Sequence, residues 1–183
     1  MMRILALRAT PRKRGNSLIL LETFLDCAPS GAKVELVNLY GVDIKPCVAC
    51  GACASSHCVI EDDMGKLYPL LEEADVLVVS TPIYFYGPPA PLKAFMDRCQ
   101  PWWYRHPPVS RRGVLMAVGA SGGENLFLPI RLMARVWMRT LGASLEVELL
   151  FRGLEHEGEV LERPEILEEV RLRAGKFFEE QAD

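Results

Sequence analysis

The sequence predicts one doubly wound α/β domain, a five-stranded and mostly parallel sheet with helices on both faces. Short apolar runs alternate with amphipathic stretches along the whole chain, the pattern of repeated strand–helix–strand units. One run, Val76-Leu77-Val78-Val79, is apolar throughout, as in a strand covered on both sides. The 183 residues, 50% of them hydrophobic, can bury a sizeable core without disulfide staples.

The elements follow in order. Ile4-Leu5-Ala6-Leu7 reads as a buried strand, and residues 16–28 as a helix with Leu20, Phe24 and Cys27 on one face. Residues 34–37 form a second strand. A cysteine-rich loop at about 44–62 precedes a helix over 63–74, carried by Leu67, Leu70 and Leu71, and then the third strand. Residues 91–99 make a helix whose apolar stripe is Leu92, Phe95, Met96 and Cys99, so Cys99 is a core thiol. Lys93 and Asp97 are spaced there for an ordinary i,i+4 ion pair. A fourth strand (113–119), a long helix (126–141), a fifth strand (145–151) and a closing helix (164–180) complete the pattern. The stretch 101–108, dense in proline and aromatics, does not fit the alternation and is expected as a functional loop or a packed surface. Right-handed crossovers restrict the topology to a few choices. With no repeat, low-complexity tract or linker, residues 1–183 read as a single domain.

Twenty-one basic and 24 acidic residues leave a net charge of −3, unlike a general nucleic-acid binder. No apolar run is long enough to span a bilayer. The apolar start, residues 4–7, is too short for a secretory signal and is followed, not preceded, by basic charge. A cytoplasmic location is expected.

Thr10-Pro11-Arg12-Lys13-Arg14-Gly15-Asn16-Ser17 joins the first strand to the first helix, where open parallel sheets bind ligands. Unpaired amides at the helix start attract a phosphate; Thr10, Asn16 and Ser17 add small polar groups, Gly15 lets the backbone approach and Arg12 adds a donor fork. The same residues also fit a solvated basic turn capped by Asn16. Here the chain resembles the NADPH-dependent FMN reductase-like group of flavodoxin-fold proteins. Their Gly-Ser-Pro-Arg-x-x-Gly-Asn-Thr/Ser loop is matched at Pro11, Arg12, Gly15, Asn16 and Ser17, with Thr10 for the serine and Ala9 for the glycine. The resemblance implies a flavodoxin-like sheet of order 2-1-3-4-5 and an FMN phosphate on this loop.

Pro82-Ile83-Tyr84-Phe85-Tyr86-Gly87 follows the third strand and supplies rigidity, aromatic faces and a close backbone approach, as a flavin slot needs; a buried strand end running into a rigid turn fits as well. The group's Pro-Val/Ile-Tyr-Phe/Trp-Gly stretch is matched through Phe85, then Leu92-Lys93 and Asp97-Arg98; Tyr86 stands where glycine is usual. The loop Ser121-Gly122-Gly123 after the fourth strand is a weaker third contact.

Cys47-x2-Cys50-x2-Cys53-x4-Cys58 packs four of the six cysteines into one loop. The spacing suits a 4Fe-4S cluster; zinc and metal-free thiols, packed or redox-active, stay open as alternatives. It also resembles the archaeal-type iron–sulfur flavoproteins, as does Val59-Ile60-Glu61-Asp62-Asp63-Met64 after it. Asp62 or Asp63 is expected to cap the next helix. The resemblance implies an FMN-dependent oxidoreductase. NAD(P)H or a ferredoxin-like protein is the expected electron donor, and a quinone, flavin or small redox molecule the acceptor, in a homodimer or homotetramer. A non-catalytic electron carrier and a cofactor-free thiol or zinc module are the alternatives. No residue is singled out as an acid–base catalyst.

Overall fold

A computed structural model describes residues 1–180. Its sheet has five strands, all parallel, in the order β2-β1-β3-β4-β5. The strands are β1 (Arg3–Arg8), β2 (Lys33–Asn38), β3 (Val76–Pro82), β4 (Arg111–Gly119) and β5 (Ala143–Arg152). The helices are α1 (Asn16–Leu25), α2 (Met64–Glu73), α3 (Ala90–Asp97), α4 (Gln100–Arg105), α5 (Leu128–Thr140) and α6 (Pro164–Glu179). This is the doubly wound, flavodoxin-like arrangement expected.

Alternation along the strands sorts side chains between two layers. Ile4, Ala6, Val76, Val78, Val114 and Met116 pack under α1 and α6, around Phe24, Phe177 and Phe178. Leu5, Leu7, Leu77 and Val79 face the opposite layer, with Met64 and Leu71 of α2, Phe95 of α3, Trp102 of α4 and Trp137 of α5. The central strands are buried along almost their whole length, which is why β3 lacks a polar face.

Two local readings change and a third is resolved between its two candidates. The stretch read as irregular at 101–108 begins inside α4: Pro101 lies in the first turn, where its missing N–H costs nothing. Gly15, not Asn16, occupies the N-cap of α1, and Asn16 is turned inward. Asp63 is the N-cap residue of α2 without a side-chain cap, while Asp62 Oδ1 accepts the Met64 N–H at 3.0 Å. The Lys93–Asp97 pair forms at 2.6 Å, and Cys99 is buried in the core.

Candidate functional site

Because β1 sends the chain outward to β2 and β3 starts the other half of the sheet, the carboxyl ends of β1 and β3 diverge and leave a crevice. A cavity of about 210 Å³ opens there. It brings together Thr10, Arg12, Gly15, Asn16 and Ser17 from the first loop and Pro82, Ile83 and Tyr84 from the second. Phe85, Tyr86, Gly87, Ser121, Gly122 and Gly123 lie outside its lining. The chain adds Val118, Gly119 and Ala120 at the end of β4, with Leu154 and Glu155 after β5, none of which was anticipated.

The first loop is braced from several sides. Arg8 donates through Nε to Thr10 O (3.1 Å) and through Nη2 to Arg12 O (3.0 Å). Thr10 Oγ1 accepts the Arg12 N–H at 3.3 Å. Ser80 Oγ, at the end of β3, donates to Ser17 O at 2.6 Å and so locks α1 against the sheet. Leu18 N–H and Ile19 N–H already bond Gly15 O, but the amides of Asn16 and Ser17 precede the first intrahelical bond and have no acceptor among the described residues. A Cβ on Gly15 would stand 3.0 Å from Thr10 Oγ1 and 3.2 Å from Arg12 Cβ, so any side chain here would press on this cradle. Arg12 Nη1 donates to Glu155 O at 2.8 Å, holding the guanidinium at the rim. The Asn16 amide is spent on structure: Nδ2 donates to His156 O (2.8 Å) and Oδ1 accepts the Val160 N–H (3.0 Å). Free amides and a glycine floor at one end, with a proline-rigid apolar wall at the other, fit a mononucleotide whose phosphate lies on α1.

The second loop turns back on itself. Tyr84 N–H bonds Gly87 O (2.9 Å) and Gly87 N–H bonds Tyr84 O (3.0 Å) around Phe85 and Tyr86. Both central residues are left-handed, φ +50° and +66°, a conformation that usually calls for glycine or asparagine. Phe85 is wholly exposed. The Tyr86 hydroxyl packs on Gly123, where a Cβ would come within 3.1 Å, and this contact ties the second loop to the third. Arg152 secures the third loop by donating to Gly122 O (3.2 Å) and Glu124 O (2.9 Å).

A second cavity, of about 280 Å³, lies beside α3 and α4 and is lined by all four of Cys47, Cys50, Cys53 and Cys58. Ala49 and Gly51 adopt left-handed φ of +53° and +74° where the loop folds around it, and a short 3-10 turn, Ala52–Ala54, presents Cys53. Among the described residues no three His, Cys, Asp or Glu side chains gather tightly enough to chelate one ion, as a zinc tetrahedron with Zn–S near ~2.3 Å would require. The four cysteines give this cavity an all-sulfur donor set.

Arg98 stands behind this cavity. It caps the end of α3 and is fully buried, paired with the equally buried Asp62. Nη1 donates to Lys45 O (2.8 Å) and to the Asp62 carboxylate; Nη2 donates to Asp62 Oδ1 (3.1 Å) and Ile60 O (3.3 Å). Tyr68 of α2 donates its hydroxyl to Arg98 O at 2.9 Å. Burial alone would push the Cys58 thiol up; the neighbouring Ile60 backbone, Tyr68 and the Arg98 charge outweigh that and bring it below the ordinary thiol range. At Cys53 burial prevails and the thiol is pushed up. Sequence reasoning gave Asp62 only a possible capping role and Arg98 only a place in a matched motif, and it missed their buried pairing, because nothing local in a sequence marks an arginine as buried.

The profile described as NADPH-dependent FMN reductase matches residues 2–145. An iron-sulfur flavoprotein of Methanocaldococcus jannaschii is 32% identical over 127 residues, covering 67% of this chain and 66% of its own. One from Archaeoglobus fulgidus is 34% identical over 125 residues, covering 67% and 57%. The matches thus span less than two thirds of these relatives' length. Among solved structures, the NAD(P)H:quinone oxidoreductase of Methanothermobacter marburgensis superimposes with a TM-score of 0.74 over 96% of each chain at 19% identity, a likeness of fold.

Proposed function

The chain belongs to the NADPH-dependent FMN reductase family, and from that premise we propose that it is an FMN-dependent oxidoreductase with an iron–sulfur cluster on its cysteine loop. The observation that carries the reading is the crevice between the ends of β1 and β3, where the amides of Asn16 and Ser17 face the same cavity as Pro82, Ile83 and Tyr84. Bound there, FMN supplies hydride and single-electron chemistry. The residues do the rest. Asn16 and Ser17 amides, with Thr10 and Arg12 beside them, hold the phosphate; Gly15 admits it; Pro82 to Tyr84 orient the ring and exclude water from one face. Cys47, Cys50, Cys53 and Cys58 would hold a 4Fe-4S cluster, a reading supported by their shared cavity, their all-sulfur donor set and the iron–sulfur flavoproteins among the relatives.

NAD(P)H is the proposed donor, and a quinone the first acceptor to assay. All six cysteines are free in the fold, in keeping with a reducing, cytoplasmic compartment. No helix among the described residues is long and apolar enough to cross a membrane. Leu128, Leu132 and Val136 leave an exposed apolar stripe on α5 and support a homodimer or homotetramer.

Anaerobically purified protein tests the reading. It should be yellow, release FMN on denaturation, and oxidise NAD(P)H in the presence of a quinone. Colourless protein that takes up no added FMN would overturn it, and FMN-loaded protein inert toward NAD(P)H would make it an electron carrier.

A further inference from the structure

Every N–H of a buried guanidinium needs an acceptor, since an unpaired one forfeits its hydration without return. Arg98 satisfies Nη1 and Nη2 four times over, but its Nε has no acceptor among the described residues. Arg98 is among the residues lining the four-cysteine cavity, and its side chain is 0% exposed. Its contacts are placed on either side of the loop: Lys45 O lies just before Cys47, and Ile60 O and Asp62 just after Cys58. Thus one planar cation, delivered by the end of α3, closes the base of the loop and keeps one buried donor, Nε, without a partner.

We infer that Arg98 is the positioning residue of the cysteine site, pinning both ends of its loop and donating through Nε to anionic sulfur held in the cavity. The inference rests on the cluster reading and deepens it. Four thiolates in one cavity repel one another; a fixed buried cation and a hydrogen bond to sulfur lower the cost of adding a further electron, which raises the reduction potential. Lysine keeps the charge but has neither the fork nor Nε. Asp62 holds the fork in register, and Tyr68 closes the same group from α2.

Two measurements test it on the full chain, with FMN content and circular dichroism as controls for folding. Wild type and Arg98→Lys, purified anaerobically, are assayed for iron and acid-labile sulfide, and the cluster midpoint is read by redox titration followed by electron paramagnetic resonance. Arg98→Lys should keep FMN but either lose most of its iron and sulfide or, if loaded, show about a tenfold higher oxidised-to-reduced ratio at fixed potential, ~59 mV for a one-electron couple. A folded Arg98→Lys with wild-type loading and midpoint overturns the inference. The second measurement uses wild type alone and so does not depend on the variant folding: with ¹⁵Nε-labelled arginine, pulsed resonance of the reduced cluster should show a ¹⁵N coupling. A loaded wild type without that coupling overturns the role of Arg98 and leaves the cluster standing. Wild type without iron and sulfide overturns the cluster reading and, with it, this inference.

Discussion

At the scale of single residues, Asn16 and Ser17 are neighbours with opposite duties. The Asn16 side chain joins α1 to the segment after β5, and Asn16→Ala would leave the Val160 N–H buried and unpaired. That should cost about 1–3 kcal/mol, read as a lower urea midpoint of the flavin-free protein. Ser17 is also buried, so Ser17→Glu is expected to cost stability too, but in protein whose fold is confirmed by circular dichroism it sets a carboxylate against the amides proposed to hold the phosphate. Gel filtration should strip such a variant of FMN, and normal retention would place the phosphate elsewhere. Cys99 differs from the loop thiols, because burial pushes it up to about 12. Mass mapping after alkylation of folded protein stripped of metal should find the exposed Cys47 and Cys50 modified and Cys99 untouched until unfolding. Asp62 gives the pH dependence. Burial opposes its ionisation, but Arg98 and the Lys45 and Met64 amides outweigh that and hold the carboxyl below the ordinary range. Its stabilising contribution is therefore complete above the unfolded carboxylate value of about 4 and is lost as pH falls through the depressed folded value. Asp62→Asn should flatten the acid limb of a stability–pH curve.

Among the elements, the strained turns separate stability from use. Phe85 is left-handed and buries nothing, so Phe85→Asn should leave the unfolding midpoint unchanged or raise stability by up to ~1 kcal/mol, since asparagine tolerates this backbone. A fall in quinone turnover without a fall in stability would show that the exposed ring serves the reaction. Gly142 joins α5 to β5 at φ +74°, and a Cβ there would stand 2.6 Å from Pro108 O. Gly142→Ala should destabilise by more than the ~1–2 kcal/mol of a left-handed residue alone, because the clash is with backbone. The core strands were legible because β1, β3 and β4 carry unbroken apolar runs, and α1 and α3 because their apolar positions recur at helical spacing. The turn at Phe85-Tyr86 was not legible, since its residues are the wrong types for its conformation and only the contacts of Tyr84, Gly87 and Gly123 hold it. Nor was α4, whose Pro101 and paired tryptophans read as loop until Trp102 is seen buried against Tyr68. Thr10 to Ser17 could be read as an anion loop from their types; Leu154 and Glu155 could not, because a wall brought in from about 140 residues away leaves no local mark.

For the whole molecule, both layers share one sheet whose central strands contribute to each face, and this should make unfolding one cooperative event. Tryptophan fluorescence reports the α4–α5 side through Trp102 and Trp137, while far-ultraviolet dichroism reports all helices. Coincident urea transitions would support a single domain, and separated ones would divide the layers. The wall after β5 has a consequence for how the protein is made. The groups proposed to meet the phosphate lie between Thr10 and Ser17, whereas the carbonyls of Glu155 and His156 that steady Arg12 and Asn16 are made roughly 140 residues later. The amides are thus in place well before the segment that braces their loop, so firm nucleotide retention during folding is expected only once β5 has docked beside β4.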